Sequence, residues 1–301
     1  MKEETRLFLL ENSEEEYRKF LGSLLPGEKN MLGIRLPVLR KKAKELARGD
    51  WKGEWETEDR YFEEIMLRGM MISYVKGDMD EMLPYIADFI PRVNNWSVCD
   101  SVFAKMDVLR TDRERTWQFI QPYLYSDQEF EVRVGIIIMM QHLLKCDENG
   151  KNLKRLRTVS LTDCIKKEQE KPEPAGIKPE PAGTKPEPAG TKPEPAGTKS
   201  EPEGTKPEPT NRGSDGVYLT RILEALDRPF SQYYASMAAA WTVAEAFCCY
   251  PADVYPFLKD NRLDDATHNR ALQKIVESLI PQPEVKKEMK KMKRKCAVCR
   301  E

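Results

Sequence analysis

The chain has 301 residues, of which 40% are hydrophobic and 33% are charged, a balance typical of a helix-rich protein with a full core. Its formal net charge is −1, although eight cations and only two acids lie between Lys286 and Glu301, so the rest of the chain is acidic. DNA-binding domains are usually basic, so this balance argues against DNA binding unless cations gather on one face.

Capping residues, prolines, glycines and apolar periodicity predict helix after helix, without strand-type alternation. A capping box at Ser13 and Glu16 predicts the first of them. The predicted helices are 14–24, one that begins near Pro37 and ends before Gly49, 61–75, 79–90, 96–106, 112–124, 128–145, 217–226, 231–249, 252–259 and 265–279. Roughly a dozen helices with short links predict an all-α fold, an α-solenoid of stacked antiparallel HEAT-like pairs.

A proline-rich repeat interrupts these helices. Heptads of the form Lys-Pro-Glu-Pro-Ala-Gly-Thr begin at Lys171, Lys178, Lys185 and Lys192, with looser copies from Lys199 and Lys206. Such dense proline and glycine forbid helix and sheet, so we expect disorder from about Arg157 to Ser214. Composition favours an inert tether over a ligand that docks a partner. The predicted organisation is one solenoid at 1–156 and 215–282, a linker insertion at 157–214 and a basic tail at 283–301.

The sequence predicts a cytoplasmic protein, because no apolar run is long enough for a membrane span and no basic-then-apolar leader precedes the first helix. Seven cysteines, with Cys248 and Cys249 in an apolar stretch, favour reduced thiols over disulfides. Cys296 and Cys299 resemble half a zinc site, but a stray pair in the tail is the favoured interpretation because no second pair exists.

The most distinctive short stretch runs from Val93 to Asp100. Asn95 is a good helix cap, so a helix should begin at Trp96 and carry Asp100 on the same face, four residues later. The other face is apolar and is formed by Val98, Val102, Phe103 and Met106. Packing in the core therefore does not account for Trp96 and Asp100 on this face. A functional site would account for them.

Six blocks of sequence resemble the AlkD-like DNA alkylation repair proteins and fall in that family's order. They are Gly33–Arg40, Tyr61–Gly69, Asn95–Asp100, Phe130–Arg133, Tyr233–Trp241 and Asn269–Ile275. The resemblance implies a HEAT-like solenoid that acts as a monofunctional DNA glycosylase on duplex DNA and excises purines made cationic by alkylation. We expect no metal or other cofactor, since a cationic base is already a good leaving group, and we expect a monomer without a membrane partner.

Departure of a cationic purine leaves positive charge on the sugar, and a nearby carboxylate stabilises that oxocarbenium-like species. Asp100 is the candidate carboxylate. Aromatic faces attract cations within about 6 Å, so Trp96 and Trp241 would flank the lesion and its deoxyribose. A guanidinium matches phosphate geometry, so Arg133 would hold the backbone near the lesion. By resemblance, these four positions match the family's functional Trp, Asp, Trp and Arg.

One position departs from the family's pattern. Ala244 stands where an active relative is expected to carry a basic side chain that contacts DNA. The cations Arg35, Arg40, Lys41 and Lys44 lie in one helical stretch and are candidate replacements for such DNA contacts, although a solvated charged face explains them too. Whether the target base is extruded stays open.

The same residues also support a second hypothesis of a different class. Asp100 and Arg133 would then form an ion pair that locks adjacent repeats, and Trp241, in an alanine-rich stretch, would belong to the core. In that case the chain is a catalytically inactive HEAT-like scaffold that binds DNA or protein, with its site closed by the Asp100–Arg133 pair.

Overall fold

The structure, a computed structural model, describes residues 1–147, 151, 156–169 and 215–295. Within these ranges the fold is all-α and contains fifteen α-helices, which confirms the predicted fold class. They are α1 (Glu3–Glu11), α2 (Glu15–Leu24), α3 (Leu36–Leu46), α4 (Trp51–Trp55), α5 (Phe62–Tyr74), α6 (Met79–Phe89), α7 (Trp96–Phe103), α8 (Arg113–Leu124), α9 (Glu129–Ile138), α10 (Leu161–Gln169), α11 (Asp215–Leu226), α12 (Tyr233–Cys249), α13 (Pro251–Lys259), α14 (Asp265–Glu277) and α15 (Pro283–Lys291). None of these helices is long and apolar enough to cross a bilayer.

Six helices, α3, α5, α7, α9, α12 and α14, pack side by side in this order, and we call them the parallel row. Their amino ends lie together: Glu63 of α5 accepts hydrogen bonds from backbone N–H groups just before α3, and the hydroxyls of Ser236 and Thr267 are 2.6 Å apart. Their carboxyl ends also meet, as in the 3.7 Å contact between Sγ of Cys248 and Oγ of Ser278. The helices between them pack on the row, as in HEAT-like pairs.

Side-chain caps begin several of the helices, at Asp78 and Asn95 as predicted and at Asp112, which was predicted as the first helical residue. The side chains of Asp78, Asn95 and Asp112 each accept a hydrogen bond from the backbone N–H three residues later. The capping box predicted at Ser13 is wrong, because its Oγ donates to the carbonyl of Leu10 at the end of α1. Helix α2 begins without a side-chain cap.

The predicted disorder begins too early in the chain. Val159 and Cys164 are fully buried, and α10 begins two residues after Val159. The backbone of Val159 donates to the carbonyl of Ile280 at 3.1 Å and accepts from the N–H of Gln282 at 2.9 Å. These contacts place 159–169 in the fold beside α13. The prediction of disorder is therefore wrong for 157–169, whereas 170–214, with every heptad, lie outside the described residues.

Part of the segment predicted as a basic tail also belongs to the fold. Residues 283–291 form α15, which packs on α14 and buries Val285 and Met289 completely. These two residues are four positions apart and form an apolar stripe between lysines. Cys296 and Cys299 lie outside the described residues.

The predicted 128–145 helix consists of α9 and a π-helix, Met139–Leu144. His142 in this segment is fully buried. Nε of Arg110 donates to its Nδ1 at 3.1 Å, so Nε2 carries the proton and donates to the carbonyl of Phe103 at 2.6 Å. Burial lowers the pKa of His142 to about 4, so the ring is neutral at pH 7.

We expect the protein to lose stability between pH 7 and pH 5 through His142. Its pKa is about 4 in the folded state and near 6.5 in the unfolded chain, so the unfolded chain binds the proton first as the pH falls. The loss from this group is about 2 kcal/mol over that interval. Urea denaturation at both pH values should show a shallower pH dependence for His142→Gln, and equal dependence in both proteins would contradict the assignment.

A second prediction concerns the crossing of α5, α6 and α7. A Cβ added at Gly69 would lie 2.6 Å from Cγ2 of Val102 and closer still to the ring of Phe89, both fully buried. Gly69→Ala should therefore lower the free energy of unfolding by about 1–3 kcal/mol. Gly22→Ala is the matched control, since its Cβ would meet only Met31, at 3.5 Å. That change should stabilise α2 by about 0.5–1 kcal/mol, measured by the same urea denaturation.

Candidate functional site on the parallel row

Helix α7 presents Trp96 and Asp100 at the surface of the parallel row. Oδ1 of Asn95 accepts the N–H of Val98 at 3.0 Å, which fixes Trp96 as the first residue of the helix. Trp96 and Asp100 are both partly exposed, whereas Val98 and Val102 are fully buried. The predicted division of α7 into an apolar face and a face that carries the Trp and the Asp is therefore present.

Asp100 forms a bidentate ion pair with Arg133 of α9. Nε of Arg133 donates to Oδ1 at 3.0 Å and Nη2 donates to Oδ2 at 2.7 Å. Nη1 of the same guanidinium donates to the backbone carbonyl of Tyr234 in α12 at 2.9 Å. Arg133 has 7% of its side chain exposed and Asp100 has 25%. One arginine thus joins three neighbouring helices and leaves part of the carboxylate accessible.

These contacts make Arg133 a positioning residue for Asp100 in this structure. Its predicted contact with DNA phosphate stays a prediction, and the guanidinium would have to leave or share its present acceptors to make it. The neighbouring Cys99 is fully buried, and burial raises the pKa of its thiol well above the ordinary value. The thiol is therefore protonated and is not a competing nucleophile.

Trp241 lies in a separate cluster, two helical turns beyond Tyr234 on α12. Its Nε1 donates to Oε1 of Glu245 at 3.0 Å. Lys145, which follows the π-helix, contacts Oε2 of Glu245 at 3.3 Å and lies 5.5 Å from the centre of the indole ring. Trp241 is partly exposed at a cavity of about 450 Å³ whose lining includes Ala244 and Glu245. The indole of Trp241 therefore lies next to one carboxylate, of Glu245, and one ammonium group, of Lys145.

Lys145 and Glu245 were not predicted as site residues from the sequence. Glu245 follows Trp241 by four residues, so its place on the same face was readable from helical spacing. The face on which Lys145 lies could not be predicted from helical spacing, because the π-helix changes the register of every residue after Ile138.

A small cavity of about 240 Å³, which was not predicted from the sequence, lies at the amino ends of α7, α9 and α12. The rings of Phe130 and Tyr234 line it with their centres 5.2 Å apart. Asn94 and Asn95 also line it, and Nδ2 of Asn95 donates to Glu28 at 3.0 Å. Both aromatic residues fall in the family-like blocks, but nothing local in the sequence indicated that they meet.

The four cations predicted to bind DNA have different surroundings. Arg35 forms an exposed bidentate pair with Glu14 through Nε and Nη2, so its charge is already matched. Lys44 lies over the ring of Tyr74, 5.2 Å from its centre. The other two, Arg40 and Lys41, lie on α3 without an ion pair among the described residues.

No three His, Cys, Asp or Glu side chains within the described ranges are grouped in a way that could hold a metal ion. A protein-family model described as "DNA alkylation repair enzyme" matches residues 6–166, just over half of the chain. The match includes Trp96, Asp100 and Arg133 but not Trp241. No curated protein and no solved structure is significantly similar to the chain.

We expect Arg133→Lys to lower the free energy of unfolding by about 2 kcal/mol, because an ammonium group cannot replace both bonds to Asp100 and the bond to Tyr234. The exposed bidentate pair of Arg35 provides the matched control, and Arg35→Lys should leave stability nearly unchanged. Urea denaturation at pH 7 measures both variants. Equal effects of the two substitutions would show that Arg133 does not join the helices as described.

Proposed function

Because the chain belongs to the DNA alkylation repair enzyme family, we propose that it is a monofunctional DNA glycosylase that excises cationic alkylated purines from duplex DNA. The observation that carries the proposal is the partly exposed carboxylate of Asp100, held by Arg133 and one helical turn from Trp96. The site residues also fall within the matched part of the chain, apart from Trp241.

In the proposed reaction the bond between C1′ and the purine nitrogen breaks, and its electron pair leaves with the base, which becomes neutral. The sugar acquires the positive charge, and the carboxylate of Asp100 stabilises it. Water then attacks C1′ and releases one proton to the solvent, and the product is an abasic sugar. Arg133 contributes by holding Asp100 in one orientation, so the carboxylate does not have to reorganise as the charge develops.

The two tryptophans are proposed to attract the cation. Trp96 shares a face of α7 with Asp100, so a sugar at the carboxylate would lie near its ring. Trp241 would act further along α12, where Glu245 fixes its indole and Lys145 already lies near the ring. A lesion on that ring would have to approach from the side away from the ammonium group of Lys145.

One observation favours the second candidate function, a catalytically silent scaffold. The Asp100–Arg133 pair that the scaffold hypothesis requires is present with good bidentate geometry. Ala244 supplies no cation at the cavity beside Trp241, and the lysine that lines this cavity, Lys274, comes from α14 instead. The scaffold would bind DNA or protein and release no base at any protein concentration.

Measurement of base release separates the two candidates. Purified protein should release alkylated purine from methylated duplex DNA, and Asp100→Asn should lower the rate by about 100-fold or more, since one electrostatic contact to a transition state has this magnitude. Liquid chromatography with mass spectrometry detects the free base. Asp107→Asn is the control, since this exposed carboxylate lies four residues beyond α7 and should not affect release.

A wild-type protein that releases no base would support the scaffold. Release that is unchanged in Asp100→Asn would remove Asp100 from the mechanism.

A further inference from the structure

Four exposed cations lie at the carboxyl ends of the first three helices of the parallel row. Lys44 is in the last turn of α3, and Arg48 lies two residues beyond that helix. Lys76 and Lys105 each lie two residues beyond the ends of α5 and α7. Because these helices are parallel, the four side chains lie along one edge of the row, and we call them the carboxyl-rim cations.

Among the described residues none of the carboxyl-rim cations forms an ion pair. Four acids close to them in sequence are paired elsewhere: Glu45 with Lys42, Asp50 with Lys2, Glu81 with Lys52 and Asp107 with Arg110. A fifth, Asp78, caps α6 by accepting the backbone N–H of Glu81. The four carboxyl-rim cations are therefore not held in ion pairs with the acids that lie closest to them in sequence.

Three of these cations share one cavity. Lys44, Arg48 and Lys76 line an open space of about 590 Å³ between the ends of α3 and α5, together with Trp51 and Tyr74. Helix dipoles favour a cation at each carboxyl end. They do not account for three cations that share a cavity while the nearby acids have other partners.

At the opposite edge of the row, the exposed cation at the amino end of α3, Arg35, is already paired with Glu14. Glu28 contacts Asn95, and Glu129 accepts the backbone N–H of Tyr234, so carboxylates occupy the amino ends of α7 and α12. A polyanion that lies across the row would be attracted to the carboxyl edge and repelled from the amino edge.

We propose that the carboxyl-rim cations bind backbone phosphates of duplex DNA, and that the duplex runs along this edge away from Asp100. The proposal rests on DNA as the substrate of the proposed function. Neighbouring helices are about 8–10 Å apart, so α3 lies roughly 16–20 Å from α7. That span corresponds to about five or six nucleotides of one strand at ~3.4 Å each.

The test measures how strongly the protein binds a short, fluorescein-labelled duplex without lesions at a series of KCl concentrations. Fluorescence anisotropy reports the binding constant at each concentration. Each phosphate contact contributes about 0.9 to the slope of log K against log [salt]. Arg48→Ala combined with Lys76→Ala should therefore reduce the magnitude of the slope by about 1.8 and weaken binding. Arg48→Lys combined with Lys76→Arg keeps both charges and should retain the slope.

The matched control removes the same charge from another surface. Lys287→Ala combined with Lys290→Ala alters α15, a helix that is not part of the row and packs on its last member, α14. This double change should leave the slope unchanged. An unchanged slope in the Arg48 and Lys76 variant, or an equal reduction in the α15 variant, would overturn the proposal. Absence of duplex binding by the wild-type chain would overturn it too.

Failure of this proposal and failure of the proposed function give different results. Base release with an unchanged slope would leave the glycosylase intact and remove the rim contact. A smaller salt slope in the Arg48 and Lys76 variant, together with no base release by the wild type, would support the rim contact and contradict the proposed glycosylase function.

Discussion

The candidate site depends on one guanidinium that joins three helices. Arg133 of α9 binds Asp100, 33 positions earlier, and the backbone of Tyr234, 101 positions later. An ion pair with so little exposure is favourable only when its geometry is good and its other donors are satisfied, and both conditions hold here. The surface on which Trp96 and Asp100 are exposed is thereby fixed relative to α12.

The helices that Arg133 joins pack together although a long insertion separates them in the chain. The entropic penalty of closing a loop grows slowly with its length, so the repeat segment between 169 and 215 can be long without preventing the flanking helices from packing. Both flanks are attached to the fold: Val159 exchanges backbone hydrogen bonds with residues 280 and 282, and α11 packs against the π-helix. The solenoid is therefore continuous across the insertion, and Arg133 and Tyr234 come from opposite sides of it.

Features of the fold that depend on neighbouring residues, such as the first residue of a capped helix, were predicted correctly from the sequence. Caps such as Asp78 and Asn95 act within one turn, so the starts of their helices were predicted to the residue. Helices α1 and α4 were missed. So were α10 and α15, in which charged residues occupy four and six of the nine positions. Their few apolar residues, among them Cys164, Val285 and Met289, stabilise helix only through the α13 and α14 surfaces that bury them, and no local pattern reports such surfaces.

The candidate site shows the same limit. Spacing placed Trp96 and Asp100 on one face, but the partner of Arg133 was left open between phosphate and Asp100 because the two residues are 33 positions apart. The π-helix after α9 adds a register change that a 3.6-residue period does not contain, and Lys145 reaches Glu245 only after that change. The chemistry near Trp241 therefore had to come from the structure.

The pairing of Asp100 is compatible with catalysis because it does not exhaust the carboxylate. An ionised carboxylate offers about four lone-pair sites, and Arg133 fills two of them. A quarter of the side chain faces solvent, so a positive charge that forms on that side meets a fixed, partly unsatisfied anion. Arg133 reduces the field of that anion, but it also removes the reorganisation that a freely rotating carboxylate would need. In many enzymes such electrostatic preorganisation is the main source of the rate enhancement.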